Sequence, residues 1–310
     1  MLPGERAVFN HFASSARQRR IPHPLGQDRQ ARGRRKPCGA QSPRALRCPD
    51  GVLRWLGQQG RTRRRTLGRA APAAPSSAEL LRREASLMPW LAPRLPLPVP
   101  VPEIIGADPL VVRHEFVPGE PLDESGEASA SIGHRLGLFL RALHEAPADE
   151  AVRHGLQPAG EARREHGELI GRFRTEVVPL LPADRRPTAS AFLETASDPP
   201  FDTVVHGDLG PEHVLADGGA PTGVIDFGDA HAGDRAIDLA WALNGTAPPF
   251  ARAVAAAYGP SDGDRARALV WHRLGPWHEV LHGIDTGTPA YVRSGLDGVL
   301  DRLADGHPAA

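Results

Sequence analysis

Apolar positions along the 310-residue chain fall into distinct regimes. Residues 1–77 hold no sustained period of 2 or 3.6, and only Val52–Leu56 has the run of a short strand. At Ser76 the pattern changes. Ser76-Ser77-Ala78-Glu79 has the spacing of a capping box, and Leu80, Leu81, Glu84, Leu87 and Leu91 follow at helical intervals. Pro93, Pro96, Pro98, Pro100 and Pro102 then predict an extended connector, because proline fixes φ and offers no N–H. Leu110–Val117 reads as a strand closed by the Pro118-Gly119 turn. Two helical stripes come next: Ile132, Leu136, Phe139, Leu140, Leu143, and then Leu169, Ile170, Phe173, Val177, Leu181. Val204-Val205 and Thr222–Ile225 are short β runs around a polar loop, and helical spacing returns from about Ala236 to the end. By element count this is an α+β fold with a small β-hairpin region carrying an acidic loop.

Charge alters that picture in one respect. The chain carries 37 basic and 37 acidic residues, which argues against a whole-chain nucleic-acid binder. Residues 1–70 nevertheless hold 17 basic and 3 acidic groups, and the remainder 20 basic and 34 acidic. A basic arm thus precedes an acidic body, and that body suits a cationic partner electrostatically. The arm has only Phe9, Phe12 and Trp55 to stack on bases, so nucleic acid is not the expected partner. Two cysteines, Cys38 and Cys48, exclude a disulfide framework. No apolar run is long enough for a membrane span, and the start lacks an apolar signal core, so a soluble cytoplasmic protein is expected.

The chemistry concentrates in His206-Gly207-Asp208-Leu209-Gly210-Pro211-Glu212-His213 and in Val224-Ile225-Asp226-Phe227-Gly228-Asp229. Asp208 sits in a loop that glycine and proline let turn tightly. Asp226 closes an apolar run 18 residues later. Carboxylates at neighbouring strand ends can converge, one to bind a hard cation, the other to accept a hydroxyl proton. Asp229 and Asp234 read as turn or cap residues.

These residues resemble the aminoglycoside phosphotransferase family, small-molecule kinases with a protein-kinase-like fold. The likeness extends to Asp238 in Ile237-Asp238-Leu239-Ala240, to Glu84 in Leu80–Ala85, to Phe116-Val117-Pro118-Gly119, and to Leu140–His144. It implies a reduced or disordered β-rich N-lobe and a mainly helical C-lobe. The corresponding divisions are a basic segment at 1–77, disordered or aberrant in reading frame, the remaining N-lobe and hinge at 78–119, and the C-lobe at 120–310. It implies Asp208 as catalytic base, Asp226 and His213 as Mg²⁺ ligands, and His206 and Asp238 as supports of the loop. Glu84, Phe116 and Val117 would lie on the nucleotide side. ATP or GTP would be the co-substrate and a hydroxyl of a small molecule the acceptor. Two departures stand out: His213 occupies the family's usual Asn position, as in macrolide phosphotransferases, and the sole lysine is Lys36, outside any strand pattern. Leu56–Gly60 is only a weak glycine loop. A catalytically dead kinase-like binding module is therefore the alternative. His278-Glu279-Val280-Leu281-His282 matches a zinc-protease string but fits a packed helix as well.

Overall fold

The computed structural model describes residues 77–107, 110–122 and 128–304. The basic arm, with Val52–Leu56, Lys36 and the Leu56–Gly60 stretch, lies outside them. Helix α1, Ser77–Leu91, starts one residue into the predicted capping sequence. It buries Leu87, Met88 and Leu91 in the main core. Its outer face is tied to the helical body by Arg83, 3.2 Å from Glu161, and by Trp90, whose indole N–H donates to Glu150 at 3.0 Å. The proline connector runs beside Gly223 and Val224. Proline lacks a donor but keeps its acceptor, and the Pro98 carbonyl accepts from Val224 N at 3.0 Å.

Strands β1, Glu103–Ala107, and β2, Leu110–Arg113, form an antiparallel pair. The strand expected over Leu110–Val117 is thus shorter. Its partner begins at Glu103 opposite Arg113, so beyond Arg113 there is no ladder to continue. Strand β3, Glu120–Pro121, joins β5, Val214–Asp217, and β6, Ala220–Val224, in a three-stranded antiparallel sheet. Strand β4, Thr203–Val205, pairs with β7, His231–Gly233. The two β runs read from the sequence therefore belong to different sheets. The hairpin is β5–β6, turned by Gly218 and Gly219 at φ +57° and +79°, the left-handed pair that suits a tight hairpin.

The helices are α2 Ala130–His144, α3 Ala148–Arg153, α4 Ala159–Arg172, α5 Arg186–Thr195, α6 Ala236–Asn244, α7 Pro248–Tyr258, α8 Asp262–Asp285 and α9 Pro289–Ala304. A π turn, Phe173–Val177, follows α4. Caps match the sequence chemistry. Ser129 accepts from Ile132 N at the start of α2, and Ser261 with Asp264 closes a capping box on α8. Both predicted stripes are buried in one cluster that also holds Phe250, Trp277 and Val299. Helix α2 packs on α7, and α8 lies between α6 and α9. The His278–His282 string splits: the His278 ring is buried edge-on to Phe173, and His282 meets Tyr291.

Candidate active site

Strand β4 delivers His206, Gly207 and Asp208 to a buried loop. Gly207 has φ +84°, and a Cβ there would stand 2.4 Å from the Asp229 carbonyl. Only glycine fits, which explains the His-Gly-Asp sequence physically. Asp238, in the first turn of α6, is fully buried under this loop. Its Oδ2 accepts from His206 N at 2.8 Å and its Oδ1 from Gly207 N at 2.9 Å. A third donor, His144 Nε2, stands 3.0 Å from Oδ2. Burial works to raise the Asp238 pKa, but the hydrogen bond from His144, nearby histidines and the backbone N–H outweigh it, leaving the carboxyl below its ordinary value.

His206 ties the two loops together. Its Nε2–H donates to the Ile225 carbonyl at 3.0 Å, so Nδ1 is left to accept from Asp208 N at 3.3 Å. Burial lowers its pKa, as a neutral donor–acceptor ring requires. His213, in the 3-10 turn Pro211–His213, donates Nδ1–H to the Asp208 carbonyl at 2.7 Å. Its ring lies against His206, with centroids 5.7 Å apart. Its Nε2 then faces Asp226 Oδ2 at 3.6 Å, and Asp208 Oδ2 lies 3.9 Å from Nδ1. Asp226, just past β6, is the one described non-glycine residue at positive φ, +70°. That backbone strain turns its carboxylate toward His213 and is typical of a functional position.

The carboxylates crowd one another. Burial, then Asp229, Glu212, Asp226 and Asp238, push the Asp208 pKa up to about 9. Burial and Asp226 push Asp229 up to about 6. Burial and the same Asp226 raise Glu84 on α1 to about 7. A cluster that resists its own ionisation is a setting for a cation. There the His213 Nε2 and an Asp226 carboxylate oxygen face each other at 3.6 Å. These two are the donors that could take a hard cation, imidazole being the softer of them.

Of the residues singled out from the sequence, the fold brings Asp208, His213, Asp226, His206 and Asp238 together and places Glu84 within electrostatic reach of Asp226. Val117 is buried, its Cγ1 close over Gly223 of β6, whereas Phe116 is 63% exposed. Asp234 caps Ala236 N at 3.1 Å and also takes Arg267 Nε and Trp271 Nε1. Sequence reasoning passed over Asp229 as an acidic neighbour of the site and missed the contacts of His144 and Tyr258. Asp229 follows the Asp-Phe-Gly directly, which is a usable signal; the other two carry none. Among the described residues no group of three or more His, Cys, Asp or Glu is placed to hold a metal ion. No helix among them is long and apolar enough to cross a membrane.

A family model described as the phosphotransferase enzyme family, APH, matches residues 50–271, beginning before the Ser77 boundary and ending within α8. No curated protein matches the chain. Among solved structures, the GDP and kanamycin complex of APH(2")-IIia superposes with a TM-score of 0.67 at 22% identity, covering 76% of this chain and 86% of that one. The macrolide 2'-phosphotransferase MphH from Brachybacterium faecium, as apoenzyme, gives 0.55 at 21%, covering 77% and 84%. A macrolide 2'-phosphotransferase type I gives 0.56 at 24%, covering 76% and 82%. These likenesses carry the fold, which is kinase-like, with small antiparallel sheets on a mainly helical body.

Proposed function

The chain belongs to the phosphotransferase enzyme family, and from that premise we propose that it moves the γ-phosphoryl group of a nucleotide to a hydroxyl of a small molecule. The observation that carries this reading is the convergence of Asp208, His213 Nε2 and Asp226 on a loop clamped by Asp238. Asp208, in its ionised form, would accept the acceptor's hydroxyl proton and aim its oxygen in line. Asp226 and His213 would hold Mg²⁺, which when bound neutralises charge on the β- and γ-phosphates. His206 and Asp238 fix the loop, so that catalysis rests on positioning and charge. Glu84, with Phe116 and Val117 ahead of the turn to β3, would border the nucleotide. ATP and GTP are both open to such a site.

The acceptor would be cationic. Asp229, Glu212 and Glu165 act electrostatically on the loop and on each other, and an amino group entering there would relieve the repulsion. Aminoglycosides and related amino-bearing metabolites have that chemistry.

The test is γ-labelled ATP or GTP with Mg²⁺, the purified full chain and a panel of amino-bearing and neutral polyols. Label in an amino-bearing acceptor is the expected result. Mg²⁺-dependent nucleotide binding without transfer to any acceptor would instead favour the binding-module reading.

A further inference from the structure

Behind the loop runs a buried chain of polar groups whose outer members do not touch the reacting centre. The Tyr258 hydroxyl lies 2.8 Å from His144 Nδ1, and His144 Nε2 lies 3.0 Å from Asp238 Oδ2. Tyr258 is the last residue of α7, His144 the last of α2, and Asp238 stands in the first turn of α6. Arg235, just ahead of α6, donates to the Thr203 hydroxyl on β4 at 3.2 Å.

The Asp238 end of the chain fixes the direction of its hydrogens, because an ionised carboxylate can only accept. Burial raises the phenol pKa of Tyr258, so it keeps its proton. His144 Nε2–H therefore donates to Asp238, and Tyr258 directs its one O–H to His144 Nδ1 at 2.8 Å, the arrangement of the Nε2–H tautomer. The side chains of His144 and Asp238 are 2% and 0% exposed, so water cannot replace a missing donor.

We propose that Tyr258 and His144 are positioning residues of the phosphotransfer site. Tyr258 selects the His144 tautomer, His144 supplies the third donor to Asp238, and Asp238 so held fixes the His206 and Gly207 amides and, through them, Asp208. The proposal rests on Asp208 as the base. The logic is that of a partner that fixes the tautomer of a working histidine, and small misplacements of a reacting group are costly.

Tyr258→Phe removes one O–H and keeps the ring that meets His144 edge-on, with centroids 5.4 Å apart. Three measurements follow on the full chain: nitrogen NMR of His144, amide exchange at His206 and Gly207, and kcat beside the nucleotide KM. Wild type shows the Nε2–H tautomer, and Tyr258→Phe a mixture of tautomers. In the variant the two amides exchange about tenfold faster, with α8 unchanged, and kcat drops about tenfold while KM holds within about twofold. His144→Gln, whose side-chain N–H can reach Asp238, restores most of kcat, whereas His144→Leu does not. Wild-type exchange and kcat in Tyr258→Phe overturn the proposal, as does a His144→Gln no better than His144→Leu. Lowered thermal stability with kcat intact well below the melting point also overturns it, reducing the pair to packing. If wild type transfers no phosphoryl group, the reading of function fails instead, and tautomer and exchange still decide whether the pair holds the loop.

Discussion

Asp208, the proposed base, also carries a cost in stability. Burial, and then its acidic neighbours, push its pKa up to about 9. Replacing it by Asn removes the proposed proton acceptor and, in the same step, the cost of burying an ionisable carboxyl. Asp208→Asn should lower kcat by about 10²–10⁴-fold while stabilising the metal-free protein by about 1–3 kcal/mol. Steady-state kinetics and denaturant melts on one preparation read both effects. A variant that loses stability along with activity would contradict this account of the cluster. His213 poses a different question, because its Nδ1–H serves the loop and its Nε2 faces Asp226. His213→Asn exchanges the nitrogen for an oxygen donor that suits Mg²⁺ better. Calorimetry should show Mg²⁺-dependent nucleotide binding retained or tightened in that variant, and weakened about tenfold or more in His213→Ala. Equal losses in both would remove His213 from the metal site.

At the scale of elements, α1 is built as part of the helical body rather than as a swinging arm. Leu87, Met88 and Leu91 share the main core, and Arg83 and Trp90 bond to Glu161 and Glu150 on α4 and α3. The Trp90 ring also stacks on His154, with centroids 5.3 Å apart. The helix therefore holds Glu84 in fixed relation to Asp226. Met88 is fully buried, and Met88→Ala should destabilise the protein by about 2–5 kcal/mol. Because the cavity lies one turn from Glu84, nucleotide affinity should fall as well at temperatures where the variant is folded. A thermal shift series with and without nucleotide separates the two effects, and intact nucleotide affinity would detach α1 from the site. Element identity was legible where period and caps were strong, as in α1, α2 and the residues flanking Asp238. It was not legible for β1, β3, β5 and β7, which have two to five residues each. A strand that short carries too few alternations to register and exists only because a partner satisfies its backbone.

For the whole molecule, the buried titratable groups set opposite limbs of a stability profile. Burial lowers the pKa of His166, His206 and His231, and takes His278 and His272 to about 3 and about 4. The unfolded chain binds those protons first, so stability is full above about pH 6.5 and is lost as pH falls toward 4. Asp208 and Asp229 act in reverse. Their folded values of about 9 and about 6 lie above the ordinary 3.8, so the native state holds protons the unfolded chain has released, and stability declines as pH rises from about 4 to 9. Melting temperature without metal should thus peak near about pH 6. At the proposed site Mg²⁺ with nucleotide would compete with protons for the same cluster, so it should protect more as pH rises and move the peak upward. A metal-free profile rising steadily to pH 9 would refute the buried acidic cluster. The sequence by itself determined the chemistry: two acidic loops of fixed spacing, the helical stripes and the family, because these depend on residue types at short range. The tertiary structure alone decided that β4 and β6 lie in separate sheets, that His213 turns Nε2 to Asp226, and that Tyr258 and His144 meet behind Asp238. His144 and Tyr258 stand 114 positions apart, and no periodicity or propensity reaches that far; only the packing of α2 against α7 joins their ends.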